Sequence, residues 1–124
     1  MPVIGLKNQF VPLILNGTKR QTIRSTRKRP FKNGDILYLY KNHRTPQAEK
    51  IGEYECKSVE NIEMNFSPYK DIPGIWEVIL DGKGLTGEEV REIARADGFK
   101  TNKEFFDFFL QNHGTNFKGQ LIKW

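Results

Sequence analysis

Short apolar runs separated by turn residues are the dominant pattern along this chain, and they predict strands. The run Ile36-Leu37-Tyr38-Leu39-Tyr40 is nearly continuous, so we expect a strand there that is buried on both faces. Asn33-Gly34-Asp35 is typical of a turn just before it. The other predicted strands lie at residues 3–6, at about 51–62, at about 75–80 and at about 117–124.

A helical segment is predicted soon after the first strand. It covers residues from about 9 to 16, and Pro12 is tolerated because it falls near the first turn. Gly17 suits the left-handed residue that ends such a helix. We expect residues 21–24 to be extended and residues 25–32 to form a loop.

Two further helices are predicted between the last two strands, because each begins with a capping box. In Thr86-x-x-Glu89 and Thr101-x-x-Glu104, a hydroxyl and a carboxylate can satisfy backbone amides at the helix start. Gly98 and Gly114 suit the positions just past the two helix ends. Together with the strands, these helices predict the α+β class.

The second of these helices is unusually aromatic. A surface for stacking bases is conceivable, but a helix of this composition is more typical of a core element. Its large apolar residues are Phe105, Phe106, Phe108, Phe109 and Leu110.

Length and composition indicate one globular domain spanning residues 1–124. Hydrophobic residues make up 37% of the chain and charged residues 28%, which is typical of neither disordered nor membrane proteins. No apolar run reaches the roughly 18 residues that a membrane helix needs, and the first five residues are too short for the apolar part of a signal peptide. We therefore expect a cytoplasmic protein that makes no membrane contact.

Neither cysteine nor histidine chemistry is indicated. Cys56 is the only cysteine, and strand alternation places it beside Tyr54, so we interpret it as a core thiol rather than a reactive one. His43 and His113 lie far apart, with no second ligand at the spacing that zinc requires. We expect no metal and no cofactor.

Positive charge is concentrated at one end of the sequence. The net charge is +5, and residues 1–34 contain eight Lys or Arg and no acid. A local cluster of cations attracts a polyanionic partner, although a solvated basic loop is the alternative.

Residues 82–87 match the GxGxxG pattern of dinucleotide-binding loops between a predicted strand and a helix. A Rossmann unit requires that helix to lead into a parallel strand, whereas here a second helix follows. Thr86 is already explained as a cap, and Gly82 suits a turn after Asp81. We therefore interpret the match as fortuitous.

A more specific signal is an apolar helix followed by a motif and a strand: Phe10-x-x-x-Ile14-Leu15-Asn16-Gly17-Thr18-Lys19-Arg20-Gln21-Thr22-Ile23-Arg24, then Gly34-Asp35-Ile36-Leu37-Tyr38-Leu39. This order resembles the ASCH family, whose hallmark is G-x-K-x-x-[TE]-x-R before a G-D strand. The resemblance continues through residues 94–99, 103–106 and 119–124. It implies a PUA-like small mixed β-barrel with about three flanking helices.

Within the motif, the extended segment assigns side chains to two faces. Thr22 and Arg24 project to one face and Ile23 to the other, where it can anchor the segment in the core. Lys19 can reach the same cavity wall as Thr22 from the turn. The alternative is a surface turn with solvated side chains.

Asp97 stands out independently of the resemblance. It continues the helical apolar face of Val90, Ile93 and Ala94, so a carboxylate occupies an expected core position. The end of a helix also disfavours an anion, so a compensating cation is expected, either Lys19 or Arg24. The pair could be functional or purely structural.

The sequence is most similar to the ASCH branch that includes bacterial amidohydrolases of N4-acetylcytidine. That resemblance implies Lys19, Thr22 and Asp97 as catalytic residues, although the family has Glu where this chain has Asp97. Our hypothesis is that Thr22 is the nucleophile, neutral Lys19 the base and Asp97 the positioning acid. The substrate would be a modified nucleoside or an RNA nucleotide, with Arg20 and Arg24 beside it.

Two non-catalytic alternatives remain at this point. ASCH domains resemble RNA-binding PUA domains, and a basic loop with an aromatic residue can track phosphates and stack a base. The other alternative is a protein-interaction domain with a vestigial pocket. The loop residues concerned are Arg27, Lys28, Arg29, Phe31 and Lys32.

Overall fold

A computed structural model describes residues 3–66 and 76–124 of the chain. Its described part contains three α-helices, one short 3-10 helix and eight strands, which confirms the α+β class. The helices are the 3-10 helix Asn8–Phe10, α1 Val11–Leu15, α2 Gly87–Ala96 and α3 Asn102–His113. The strands are β1 Val3–Leu6, β2 Gln21–Ser25, β3 Ile36–Lys41, β4 Glu49–Glu55, β5 Ser58–Phe66, β6 Trp76–Leu80, β7 Lys83–Gly84 and β8 Asn116–Lys123.

The strands form two sheets. The smaller sheet has the order β1-β3-β4, in which β1 and β3 are parallel and β3 and β4 are antiparallel. The larger sheet has the order β2-β8-β5-β6-β7, with every pair antiparallel. Both sheets and the helices contribute residues to a single buried core cluster.

The expected closed barrel is wrong, because both sheets are open within the described residues. A barrel needs every strand to be hydrogen-bonded on both sides, whereas β1, β4, β2 and β7 are each paired on one side only. The chain passes from the smaller sheet to the larger one within residues 51–62, where a single strand was predicted. There the amide of Cys56 donates to Asp35, beside β3, while the amide of Lys57 donates to Lys123 in β8. The chain thus leaves one sheet and enters the other between adjacent residues.

Strand β3 is buried on one face rather than on both. Leu37 and Leu39 are fully buried, Tyr38 and Tyr40 are half-buried, and Ile36 is 43% exposed. Successive side chains point to opposite faces, and only the face that carries the two leucines adjoins the core. Burial on both faces is therefore a wrong prediction, because tyrosine makes a half-covered face look apolar in the sequence.

The predicted helix starts and ends are largely confirmed. Thr86 and Glu89 form the complete capping box of α2. At α3 the Thr101 hydroxyl accepts the Glu104 amide as predicted, but the Glu104 carboxylate accepts from the amide of Lys100 instead. The left-handed glycines occur as expected at Gly17, Gly98 and Gly114, with φ of 82°, 104° and 80°.

The aromatic residues of α3 form core, as predicted. Phe105 and Phe109 are buried, and the ring of Phe99 contacts those of Phe105 and Phe10 edge-on. A Cβ at Gly98 would lie 3.0 Å from the Phe10 ring, so the end of α2 lies directly against the 3-10 helix. This contact brings Asp97 close to the segment that follows α1.

Two further features are structural. Cys56 is buried, and burial raises the pKa of its thiol, which keeps it protonated. The GxGxxG match contributes the turn at Asp81 and Gly82 between β6 and β7, together with the cap at Thr86.

None of the helices in the described ranges is long and apolar enough to cross a membrane. The same residues contain no group of three or more His, Cys, Asp or Glu that could hold a metal ion.

Candidate functional site

A cleft of about 900 Å³ lies where β1, β2, the end of α2 and the end of α3 meet. Its volume is within the range of small-molecule binding sites. Its lining includes Lys19, Thr22 and Arg24 of the predicted motif, Arg27 of the loop that follows, and Asp97 just after α2. The structure therefore brings together all three residues of the proposed catalytic set.

Lys19 and Asp97 form a buried ion pair in the wall of the cleft. The Lys19 Nζ lies 3.1 Å from the Asp97 Oδ1 and donates to the Asp97 backbone carbonyl at 2.5 Å. Lys19 is only 1% exposed, and its ammonium lies 4.7 Å from the ring centroid of Phe10. The cation expected beside Asp97 is therefore Lys19, which also satisfies a carbonyl at the end of α2.

Local structure explains how Lys19 reaches this position. Gly17 turns the chain at the end of α1, and the Lys19 amide then donates to the carbonyl of Leu13 at 2.9 Å. This bond folds the chain back onto the helix before β2 begins. Lys19 consequently points inward, and the alternative of a solvated surface turn is wrong.

Gln21 is a site residue that sequence analysis missed. Its side-chain amide donates to the carbonyl of Ile93 at 3.1 Å and to the Asp97 Oδ1 at 3.5 Å. The available signal was strand alternation, which puts Gln21 on the same face as the buried Ile23. A polar residue on an apolar face needs a partner, which is the argument already applied to Asp97.

Burial disfavours the charged form of both members of the pair. It lowers the pKa of Lys19 from its ordinary 10.5, an effect that Arg24 reinforces and Asp97 opposes. It raises the pKa of Asp97 above 3.8, against the opposing effects of Lys19, Gln21 and Arg24. Desolvation is the largest cause in each case. A neutral lysine, as a general base requires, is therefore more accessible here than on the surface.

Thr22 and Arg24 line the cleft from β2, and Ile23 between them belongs to the same lining. Thr22 is buried, and no side-chain hydrogen bond to it occurs within the described residues. Arg24 donates from Nη2 to the carbonyl of Gly5, while its buried Nε has no partner in the described part of the chain. Burial lowers the pKa of Arg24, with Asp97 opposing. Ile23, between them, is buried in the core as expected.

The remaining basic residues of the motif region do not all reach the cleft. Arg27 does, and its guanidinium lies 4.6 Å from the ring centroid of Phe31. Arg20 instead donates from Nε to the carbonyl of Trp124 at 3.1 Å. Lys28, Arg29 and Lys32 are exposed and lie outside the cleft.

Phe31 is not the exposed stacking residue that the sequence suggested. It is buried, because the Gln120 side chain holds its backbone against β8. The Phe31 amide donates to the Gln120 Oε1 at 3.0 Å, and the Gln120 Nε2 donates to the Phe31 carbonyl at 3.2 Å. The Phe31 ring faces the cleft beneath Arg27 rather than open solvent.

Other polar residues of the cleft come from segments that carried no motif, so sequence reasoning missed them too. Within the described lining, five cationic side chains face a single carboxylate, that of Asp97. The cleft is therefore strongly electropositive, as the charge distribution predicted for this part of the chain. The missed residues are Lys7, His43, Arg44, Asn112 and His113.

Fold and site together define an α+β protein with a basic cleft built around a buried Lys–Asp pair. In comparisons with known proteins, no family model, no curated protein and no solved structure matches this chain. The function must therefore be argued from the cleft itself.

Proposed function

We propose that this protein is an ASCH-type, PUA-like protein that removes an acyl group from a modified cytidine bound in the cleft. The observation that carries the proposal is the convergence of Lys19, Thr22 and Asp97 on one cleft. Lys19 and Thr22 are positions of the ASCH motif, and Asp97, which matches the family's Glu, is 78 residues from Lys19 in the chain. Although Asp is one methylene shorter than the Glu of the family, its carboxylate reaches Lys19.

The chemistry uses each group in turn. The Thr22 hydroxyl attacks the acyl carbonyl, neutral Lys19 takes its proton, and that proton passes to the leaving amine as the C–N bond breaks. Water then hydrolyses the acyl ester on Thr22, which releases the carboxylic acid. Asp97 holds the Lys19 amine in place and accepts a hydrogen bond from the nucleobase.

The direct test is release of acetate and cytidine from N4-acetylcytidine by the purified protein. We expect Thr22→Ala to lower the rate at least about 100-fold, because it removes the nucleophile. Thr18→Ala is the matched control, since Thr18 is exposed and lies outside the cleft, and it should retain the rate. Absence of acetate release from the wild-type protein, or an unchanged rate in Thr22→Ala, contradicts the proposal.

The second candidate is a non-catalytic RNA-binding module that uses the basic segment 19–32. It is favoured by the exposure of Lys28, Arg29 and Lys32, none of which forms an ion pair within the described residues. RNA affinity that falls steeply with salt, without acetate release, would favour this candidate. RNA affinity independent of salt would eliminate it.

A further inference from the structure

The cations of the cleft differ in how their charges are balanced. Lys19 faces Asp97, so this cation has a counterion. Lys7 and Arg24 also line the cleft, and neither forms an ion pair with a carboxylate in residues 3–66 or 76–124. These two side chains therefore carry positive charge that no ion pair within the described residues neutralises.

Lys7 and Arg24 are held by neutral partners. The Lys7 Nζ donates to the Asn112 Oδ1 at 3.3 Å and lies 4.9 Å from the ring centroid of Phe108. Arg24 donates to the carbonyl of Gly5, and its Nε has no partner in the described part of the chain. Both side chains thus line the cleft without an ion-pair partner in the described residues, although Asp97 acts on Arg24 from a distance greater than that of an ion pair.

His113 lines the cleft together with these two cations. Its pKa is lowered mainly by burial, and also by the positive charges of Arg24 and Lys7. A neutral imidazole at this place can donate or accept a hydrogen bond without adding repulsion. Arg27 and Arg44, both exposed, extend the positive field at the rim.

Converging cations repel one another, and an anion bound between them removes that repulsion. A guanidinium matches the geometry of a phosphate with two parallel donors, and an ammonium adds a compact point charge. The number of cations suits a doubly charged group better than a single carboxylate. The volume of about 900 Å³ leaves room for a base and ribose beside it.

We propose that Lys7 and Arg24 form a phosphate-binding subsite of the cleft, so that the ligand is a phosphorylated nucleoside rather than a free one. The nucleoside part of this inference rests on the proposed function, whereas the phosphate part rests on the cations alone. The phosphate belongs either to a terminal monoester or to the backbone of an RNA strand.

The test is titration calorimetry of the wild-type protein with cytidine, cytidine 5′-monophosphate and inorganic phosphate. We expect the monophosphate to bind roughly 10- to 100-fold more tightly than cytidine, the range of one or two charge-assisted hydrogen bonds. Lys7→Gln should remove most of that preference. Lys7 is exposed, so this variant should fold, and thermal unfolding checks that it does. Lys100→Gln, an equal charge change outside the cleft, should keep the preference.

A second variant, Arg24→Gln, should abolish the preference while leaving cytidine binding measurable. Equal affinity for cytidine and its monophosphate, failure to bind either ligand, or a preference unchanged in Lys7→Gln overturns the subsite. If the preference holds but N4-acetylcytidine and its 5′-monophosphate are not hydrolysed, the proposed function fails and the subsite stands. An RNA lacking a terminal phosphate that binds with the same Lys7 dependence supports the subsite and identifies the backbone diester as the source.

Discussion

Lys19 and Asp97 illustrate what a buried ion pair costs and what it organises. Each charge loses most of its hydration on burial, and the attraction between them offsets that loss only when further hydrogen bonds complete the arrangement. Gln21 and the Asp97 backbone carbonyl supply those bonds. The pair holds the start of β2 against the end of α2, which shapes one wall of the cleft.

Removing either partner should therefore be more harmful than removing both. We expect Lys19→Met and Asp97→Leu each to lower the free energy of unfolding by about 3–5 kcal/mol, because each leaves an unpaired buried charge. The double variant should be close to the wild type or more stable, since two apolar side chains fill the space. Urea unfolding of the wild type, the two single variants and the double variant measures the coupling free energy between Lys19 and Asp97. Losses that simply add would contradict a paired arrangement.

The pair also predicts how stability depends on pH. Burial raises the pKa of Asp97 above 3.8, so its contribution is present below 3.8 and is lost as pH rises through the folded pKa. Burial lowers the pKa of Lys19 below 10.5, so its contribution is present above 10.5 and is lost as pH falls through the folded pKa. The contribution of the pair to the free energy of unfolding should thus be smallest between these limits. Urea unfolding at a series of pH values should show it in the difference between the wild type and the double variant Lys19→Met/Asp97→Leu, which should be least favourable to the wild type in that range.

At the scale of elements, the pairing of β2 with β8 sets the geometry of the cleft. Gln21, Thr22 and Arg24 all lie on β2, and its register against β8 places Ser25 opposite Gly119. A Cβ at Gly119 would lie 2.1 Å from the carbonyl oxygen of Arg24 and 2.6 Å from the Phe117 ring. Only glycine allows β8 to approach β2 this closely.

Gly119→Ala should consequently displace β2 from β8. We expect a loss of about 1–3 kcal/mol in the free energy of unfolding, as for other overpacked sites, together with weaker ligand binding in the cleft. Gly87→Ala is the control, because an added Cβ there has nothing within 4 Å and its backbone is helical. Gly87→Ala should be neutral or slightly stabilising. Equal stability of the two variants would refute the close approach of the strands.

At the scale of the whole molecule, one core connects the two open sheets. Leu37 and Leu39 of β3 belong to the same buried cluster as Ile62 and Met64 of β5 and Phe105 of α3. The backbone passes between the sheets at adjacent residues, so neither sheet is separated from the other by a linker. Such an arrangement favours one cooperative folding unit.

The two tryptophans allow cooperativity to be measured. Trp124 lies against Tyr54 of the smaller sheet, whereas Trp76 is stacked on Phe106 of α3 at a centroid distance of 4.8 Å. We expect tryptophan fluorescence and far-ultraviolet circular dichroism to report one coincident urea transition. Single-tryptophan variants, Trp76→Phe and Trp124→Phe, should each show the same agreement between the two signals. Separate transitions would mean that the sheets unfold independently.

The sequence by itself determined the features that arise from local physics. Capping at Thr86 and Thr101 and the left-handed Gly17 were predictable, because neighbouring backbone groups decide them. The inward position of Asp97 and its need for a cation were predictable too, because helical periodicity places a charge on an apolar face. The cluster of cations in residues 1–34 indicated an electropositive site in the same way.

Only the tertiary structure decided what depends on contacts between distant segments. Residues 51–62 are divided between two sheets, and Phe31 is buried beneath Arg27. Arg20 is hydrogen-bonded to the carbonyl of Trp124 rather than directed into the cleft. The tertiary structure also selected which cations face the cleft. Strand alternation gives two faces without saying which one is covered, and a basic loop has no local signal for the side chain that will reach a cavity. Those choices depend on packing across the fold.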